Sequence, residues 1–350
     1  MKKLLFIFLY FFTGNFFYSQ RNSPAHGAVV AFWNVENLYD TIDDPLKDDD
    51  EFTPSGKLAW TNERYWQKIN NLARVIAEIN SEVPGSPLGM MGLCEIENVQ
   101  VLRHLVLQPA IASLHLKPVL IEGPDARGVD VALLYRDDFF ILQKTVSFQV
   151  QLPVDTAHKT RDILVVSGLV DKQPLCVIIN HWPSRRGGEA ESRPNRIAVA
   201  KKVRSLTDSV LLNYPATRIM IMGDFNDDPA DVSIKKTLYT TASQIAQKGD
   251  LLFNPMEKLY KAGSGTLAWR DNWNLFDQIL LSHSWLTTSG LKYSEARIFN
   301  KKYLLADFGN YKNYPFRTYS GGAYTGGFSD HLPVFLILRP SIPTDLQQVK

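Results

Sequence analysis

The side chains in this 350-residue chain that could do chemistry sit at the ends of short apolar runs. Asn34 and Glu36 follow Ala31-Phe32-Trp33, Glu95 follows Gly92-Leu93-Cys94, and His181 follows Ile178-Ile179-Asn180. Asp224 and Asn226 follow Ile221-Met222-Gly223, Asp277 precedes Gln278-Ile279-Leu280-Leu281, and Asp330 with His331 precedes Leu332-Pro333-Val334. Carboxylates are ligands for hard divalent cations, and carboxylate and imidazole groups move protons. Any one of these segments alone reads equally well as a turn or a cap, because Asp and Asn are common turn residues. Weight comes from the repetition: several apolar runs each deliver a polar group at an end, where a rigid sheet presents side chains to a shared cleft.

Such groups need a frame. Runs rich in apolar and β-branched residues recur at 28–35, 90–96, 118–121, 129–135, 163–170, 175–180, 218–222, 276–281 and 332–338, and their length predicts strands. Tyr65, Ile69, Leu72, Ile76 and Ile79 form a helical stripe after Thr61. A second helix is expected after Pro194, with Ile197, Val199, Val203 and Leu206 turned inward and Pro215 as its stop. Many strands, few helices and no repeat or linker predict one domain over residues 27–340. The fold class is an α/β or α+β sandwich of two mostly antiparallel sheets flanked by helices. The acidic stretch 40–51 lacks the spacing of a calcium loop and reads as solvated. The aromatic, Gly-rich segment 311–327 has no period and reads as a long loop, a kind that often carries function.

A chain that is 45% hydrophobic and 21% charged is ordinary for a globular domain. Lys2 and Lys3 before the apolar run Leu4 to Phe12 read as a signal peptide over residues 1–19, cleaved after Ser19. The protein is therefore expected to be exported, periplasmic or secreted, with no stable membrane anchor. The net charge of +2 is that of the two N-terminal lysines, so cleavage leaves a nearly neutral protein. That excludes a global basic field, and any attraction for a polyanion must be local. Cys94 and Cys176 lie inside apolar runs and are expected to be buried free thiols rather than a disulfide.

Six segments, in order, resemble the endonuclease/exonuclease/phosphatase superfamily of DNase I-like enzymes. They are Phe-Trp-Asn-Val-Glu-Asn-Leu (32–38), Gly-Leu-Cys-Glu-Ile-Glu-Asn (92–98), Asn-His-Trp-Pro-Ser-Arg (180–185), Gly-Asp-Phe-Asn-Asp (223–227), Phe-Asp-Gln-Ile-Leu-Leu-Ser (276–282) and Ser-Asp-His-Leu-Pro-Val (329–334). The resemblance spans nearly all of the chain beyond the leader. It implies a four-layer sandwich with the cleft at one edge of the two sheets, and metal-dependent phosphodiester hydrolysis by an activated water. It implies Glu95 as principal metal ligand, with Glu36 and Asp330 in support. The metal is expected to be Mg²⁺, with Mn²⁺ as a substitute, because oxygen ligands select hard cations and the sequence shows no Cys/His cluster for zinc. Asn34 would fix the ligand network or a phosphate oxygen. By the same resemblance Asp224 orients the water or takes its proton, and Asn226 holds the water or the phosphate. His331 pairs with Asp277, as base or as cationic clamp. His181 protonates the leaving group or binds the phosphate, and Tyr135 is a further candidate for phosphate contact.

The notable basic cluster is Arg185, Arg186, Arg193, Arg196, Lys201, Lys202 and Arg204. Arg185 and Arg186, beside Gly187-Gly188, are expected to contact flanking phosphates, and the last three to form a solvated helix face. A polymer uses such contacts, so nucleic acid, DNA or RNA, is the expected substrate. A phospholipid, sugar-phosphate or inositol-phosphate ester on the same catalytic site is the alternative. A non-catalytic binding module is disfavoured, because every expected polar position is filled.

Overall fold

The computed structural model describes residues 26–154, 159–245, 250–287 and 289–341, so the signal-peptide expectation for residues 1–19 lies outside the described residues. The main strands, in chain order, are β1 (Ala28–Leu38), β2 (Leu88–Ile96), β3 (Lys117–Leu120), β4 (Asp130–Tyr135), β5 (Ile141–Phe148) and β6 (Ile163–Val170). They continue as β7 (Gln173–His181), β8 (Arg218–Asp224), β9 (Asp277–Leu281), β10 (Leu291–Ile298) and β11 (Val334–Pro340). One sheet has the order β10-β11-β1-β2-β4-β3. The other runs β5-β6-β7-β8-β9 and is extended by the short strands Leu252–Phe253 and Thr240–Thr241. Pairing is antiparallel except for β1 with β2, β7 with β8, and the two short strands with each other.

Side-chain alternation along a strand explains the layers. Val30 and Phe32 of β1 point into a central core with Met90, Cys94, Val177, Met222 and Ile279, which places the two sheets face to face. Val29, Ala31 and Trp33 point the other way, onto Tyr65, Ile69, Leu72, Ile76 and Ile79 of helix α1 (Asn62–Ser81). On the far side, Ile178, Ile219 and Ile221 meet Val199, Val203 and Leu206 of helix α3 (Glu189–Asn213), while α2 (Val99–Val106) packs beside α1. The sheets approach closely: a Cβ at Gly92 would lie 2.5 Å from the Met222 sulfur and 3.0 Å from the Phe32 ring, so any larger residue would force Met222 to move. Cys94 and Cys176 are free thiols in different core layers. Among the described residues no helix is long and apolar enough to cross a membrane.

Three details differ from expectation. Helix α3 begins at Glu189 and carries Pro194 within it. The Ser192 hydroxyl and the Arg196 guanidinium bind the carbonyls of Gly188 and Glu189, so side chains supply hydrogen bonds to the first turn. Strands β5 and β10 went unrecognised because each closes a sheet edge and is half-exposed along much of its length, with polar residues inside it. The acidic stretch is not wholly solvated, since Asp49 is buried.

Candidate active site

The parallel pairs bring the C-terminal ends of β1 and β2, and of β7 and β8, to one edge of the sandwich. The antiparallel partners β9 and β11 begin at that same edge, with Asp277 opposite Asp224 and Val334 opposite Phe32. The backbone is irregular there. Register shifts interrupt β1 and β2 between Asn34 and Leu38, and β2 and β4 between Cys94 and Ile96. Glu36, Asn37, Glu95 and Asn226 are all left-handed, with φ of 53°, 51°, 63° and 49°. Each such residue costs about 1–2 kcal/mol for a side chain with a Cβ, and bulges re-aim side chains at functional edges.

The two sheets are tied at this edge by Asn34, whose Nδ2 donates to Asp224 Oδ2 at 3.0 Å. Asp224 is the hub. His181 Nε2 lies 3.5 Å and His331 Nε2 3.8 Å from the same Oδ2, and the Asn226 amide donates to Oδ1 at 2.9 Å. Burial pushes the Asp224 carboxyl up to about 6, against the pull of His331. The imidazoles have opposite character. Burial disfavours a charged His331, but Asp277, bonded to Nδ1 at 2.6 Å, and Asp224 outweigh it and hold this imidazole well above its ordinary range. His181 has no comparable partner: its Nδ1 is buried without a hydrogen bond, and burial with Arg161 and Arg127 holds it neutral, well below that range. Glu95 lies 3.8 Å from His181 and accepts the Asn37 amide through Oε2 at 2.8 Å.

Glu36 and Asp330, expected beside Glu95, are bridged to each other by Arg317. Its Nε reaches Glu36 at 2.9 Å and its Nη2 reaches Asp330 at 3.1 Å. Glu36 also accepts the Thr318 amide at 2.7 Å and lies 3.9 Å from buried Lys68 Nζ. Burial and the nearby Asp330 carboxylate push Glu36 up to about 7, while burial lowers Lys68 to about 8. Arg317 comes from the loop 311–327, which folds back over the site and contains a small hairpin pairing Tyr319–Ser320 with Ala323–Tyr324.

Two expected phosphate contacts are corrected. Tyr135 lies at the wrong end of its strand: β4 runs antiparallel to β2, so Tyr135 pairs with Met90 while Val131 pairs with Cys94, roughly 13 Å nearer the cleft. Arg185 is engaged by Asp231 at 2.7 Å and Asp227 at 3.3 Å, donates to the Asn226 carbonyl at 2.9 Å, and lies over the Phe276 ring. It braces the loop that carries Asn226. Arg196 is likewise buried against Asp227 at 2.6 Å, and Arg193 pairs with Glu189. Arg186 is exposed, with no charged partner among the described residues.

Three cations were missed. Arg317 and Arg127 have side chains 45% and 44% exposed; burial opposes their charge, but Asp330 and Glu36 for Arg317, and Glu95 and Asp125 for Arg127, outweigh it and raise the affinity of each for a proton. Lys68 had a signal: it sits three residues after Tyr65 and four before Leu72, inside the apolar stripe of α1, where a lysine must be buried and paired.

The donor set fits a hard cation. Glu95 Oε1 makes no hydrogen bond among the described residues and lies near His181, which in turn lies beside Asp224. The structure does bring Cys94 within 4.8 Å of ligand atoms of His181 and Asp224, a juxtaposition invisible in sequence. Burial and the Asp224 and Glu95 carboxylates push the Cys94 thiol well up, which keeps it protonated and disfavours it as a zinc ligand.

A two-sheet sandwich with carboxylates and imidazoles gathered at one edge defines a DNase I-like hydrolase scaffold. The chain belongs to the Endonuclease/Exonuclease/phosphatase family, whose model matches residues 29–340. Members of that superfamily are phosphoesterase hydrolases and typically depend on a divalent metal. No curated protein sequence matches the chain. Among solved structures, a family protein from Bacteroides thetaiotaomicron is 15% identical, with TM-score 0.55, over 91% of this chain and 99% of that one. A mannosyl-6-phosphatase of the same organism is 15% identical, with TM-score 0.53, over 89% and 99%. TDP2 of D. rerio, complexed with a single-strand DNA product, is 15% identical, with TM-score 0.51, over 89% and 99%. Identities this low show the shared fold.

Proposed function

We propose that the protein is an exported phosphodiesterase that hydrolyses nucleic acid with Mg²⁺, or Mn²⁺ in its place. The observation that carries the hydrolytic reading is the pair of imidazoles within 4 Å of one Asp224 oxygen, one of them bonded to Asp277, beside the carboxylate of Glu95. Glu95 would hold the metal, which when bound would supply positive charge to the phosphate oxygens and leaving group. Glu36 and Asp330, which Arg317 bridges in this structure, would be the supporting ligands. Asp224 orients the attacking water and accepts its proton. His331, charged by Asp277, donates from Nε2 to a phosphate oxygen, so the clamp role is favoured over the base role. His181, neutral at rest and 3.5 Å from Asp224, is placed to take up the proton that Asp224 accepts from the water and relay it to the leaving oxygen. Asn34 holds Asp224, and Asn226 orients the water or phosphate.

Nucleic acid as substrate is supported by Arg127 and Arg317, half-exposed guanidiniums coupled to the site carboxylates, and by a neighbour that binds a single-strand DNA product. A sugar-phosphate ester is the second reading. It is favoured by the engagement of Arg185 and Arg196 within the fold and by a neighbour that is a mannosyl-6-phosphatase. Release of acid-soluble nucleotides from single-stranded DNA and RNA, with Mg²⁺, Mn²⁺ or EDTA, tests the choice. Metal-dependent cleavage is expected, and Glu95→Ala and His331→Ala should each lower it by at least about a hundredfold while remaining folded. Near-normal turnover in either variant removes that residue from the mechanism, and release of phosphate from a sugar phosphate alone replaces the substrate. Export is tested by N-terminal sequencing of protein recovered outside the cytoplasm, expected to begin at Gln20.

A further inference from the structure

Beside Glu36 and Arg317 a cavity of about 320 Å³ opens between the segment 51–60 and the 317–322 hairpin. Phe52, Leu58, Trp60 and Tyr319 supply its apolar walls, and Glu51, Asn37 and Arg317 its polar rim. The walls are fixed. Trp60 donates to the Tyr39 carbonyl at 3.1 Å, Tyr319 donates to the Leu58 carbonyl at 3.0 Å, and Phe52 stacks on Tyr39 with centroids 4.3 Å apart. Gly321 and Gly322, at φ of 59° and 82°, make the two-residue turn that folds the hairpin over the opening. The rim is open to solvent: among the described residues the Glu51 carboxylate and the Asn37 carboxamide line the cavity, are partly exposed and make no hydrogen bond within the protein. Arg317 spans both regions, lining the cavity while holding Glu36 and Asp330.

We infer that this cavity is the subsite for the sugar ring carried by the scissile phosphate. The inference rests on the phosphoester-hydrolase reading and narrows its substrate. An acceptor-only carboxylate, a donor-only guanidinium and a carboxamide of both kinds complement hydroxyls, which donate and accept together. Aromatic walls cover the C–H face of a ring and leave its hydroxyls to the rim. The volume lies at the low end for small-molecule sites, about 300–1,000 Å³, which admits one ring and excludes a base pair. A ring seated there has its phosphate at Arg317, next to the Glu36 and Asp330 carboxylates. The ring comes either from the end of an unpaired nucleotide strand or from a free sugar phosphate.

Calorimetric titration of the full protein in EDTA with ribose 5-phosphate, a nucleoside 5′-monophosphate, a hexose 6-phosphate and inorganic phosphate tests this directly. At least one ring-bearing ester is expected to bind about tenfold tighter than inorganic phosphate, equivalent to about 1.4 kcal/mol. Preference for the nucleotide or for the hexose phosphate assigns the source of the ring. Leu58→Trp, which fills the cavity, should abolish the advantage and leave inorganic phosphate binding unchanged, with circular dichroism as the check on folding. Glu51→Gln, a near-isosteric change, should reduce the advantage at least threefold. Equal affinity for esters and phosphate, or an advantage that survives both substitutions, overturns the inference. The two readings fail separately: a protein that cleaves no strand yet loses sugar-phosphate affinity in Leu58→Trp has lost the nuclease reading and kept the cavity.

Discussion

His181 and His331 lie within 4 Å of one carboxylate oxygen, yet their surroundings push their proton affinities in opposite directions, because only His331 has a buried carboxylate on its other ring nitrogen. The distinction is measurable without metal or substrate. In ring-nitrogen NMR of the apo protein, His331 should titrate well above its ordinary value near 6.5, and Asp277→Asn should bring its midpoint down. A midpoint that does not move would show that Asp224 alone charges the ring. The raised value has a stability sign. Between the unfolded and folded values the native state binds more protons, so this pair's contribution is full below about 6.5 and fades as pH rises through the folded value. Asp277→Asn should therefore flatten the decline in urea midpoint over that window.

Element ends, rather than elements, carry this site. The loop after β8 is set by charge: Asp227 receives Arg196 from α3 at 2.6 Å and the Ser233 hydroxyl at 2.6 Å, while Asp228 accepts the Leu275 amide at 2.7 Å. These contacts hold Asp224 and Asn226 at the cleft and dock α3 onto the sheet. Arg196→Met leaves the buried Asp227 carboxylate without its main partner and should destabilise the fold by about 3–5 kcal/mol in urea denaturation. Arg193→Ala, which removes an exposed pair on the same helix, should leave the midpoint nearly unchanged. Comparable losses in both would mean that helix propensity, not the buried pair, sets the docking.

At the scale of the whole molecule, electrostatics limits how a polymer is held. The full chain has a net charge of only +2, and most of the basic cluster is paired with acidic side chains of the same fold. Among the described residues Arg127 and Arg317 are half-exposed cations at the site, so about two phosphate contacts are expected if a strand binds there. The logarithm of single-strand affinity should then fall with the logarithm of salt at a slope of about −1.4, two contacts at about 0.7 each. A slope near −4 would demonstrate an extended basic track.

The sequence by itself determined the sandwich, the family and the ends of the strands that meet at the cleft, because strand burial on two faces and polar side chains at strand ends are local patterns. Asn34, His181, Asp224, Asn226, Asp277 and His331 were legible for that reason, and the structure brings them together. Edge strands were not legible, since exposure erases the apolar run on which recognition depends. Only the tertiary structure decided the use of the arginines. Arg185 lies four residues from His181, yet three aspartates of the β8 loop claim it, whereas Arg317 arrives from a loop 281 residues away from Glu36 to bridge Glu36 and Asp330. A charged side chain is assigned by whichever opposite charge folding places within reach, and that distance is not written along the chain.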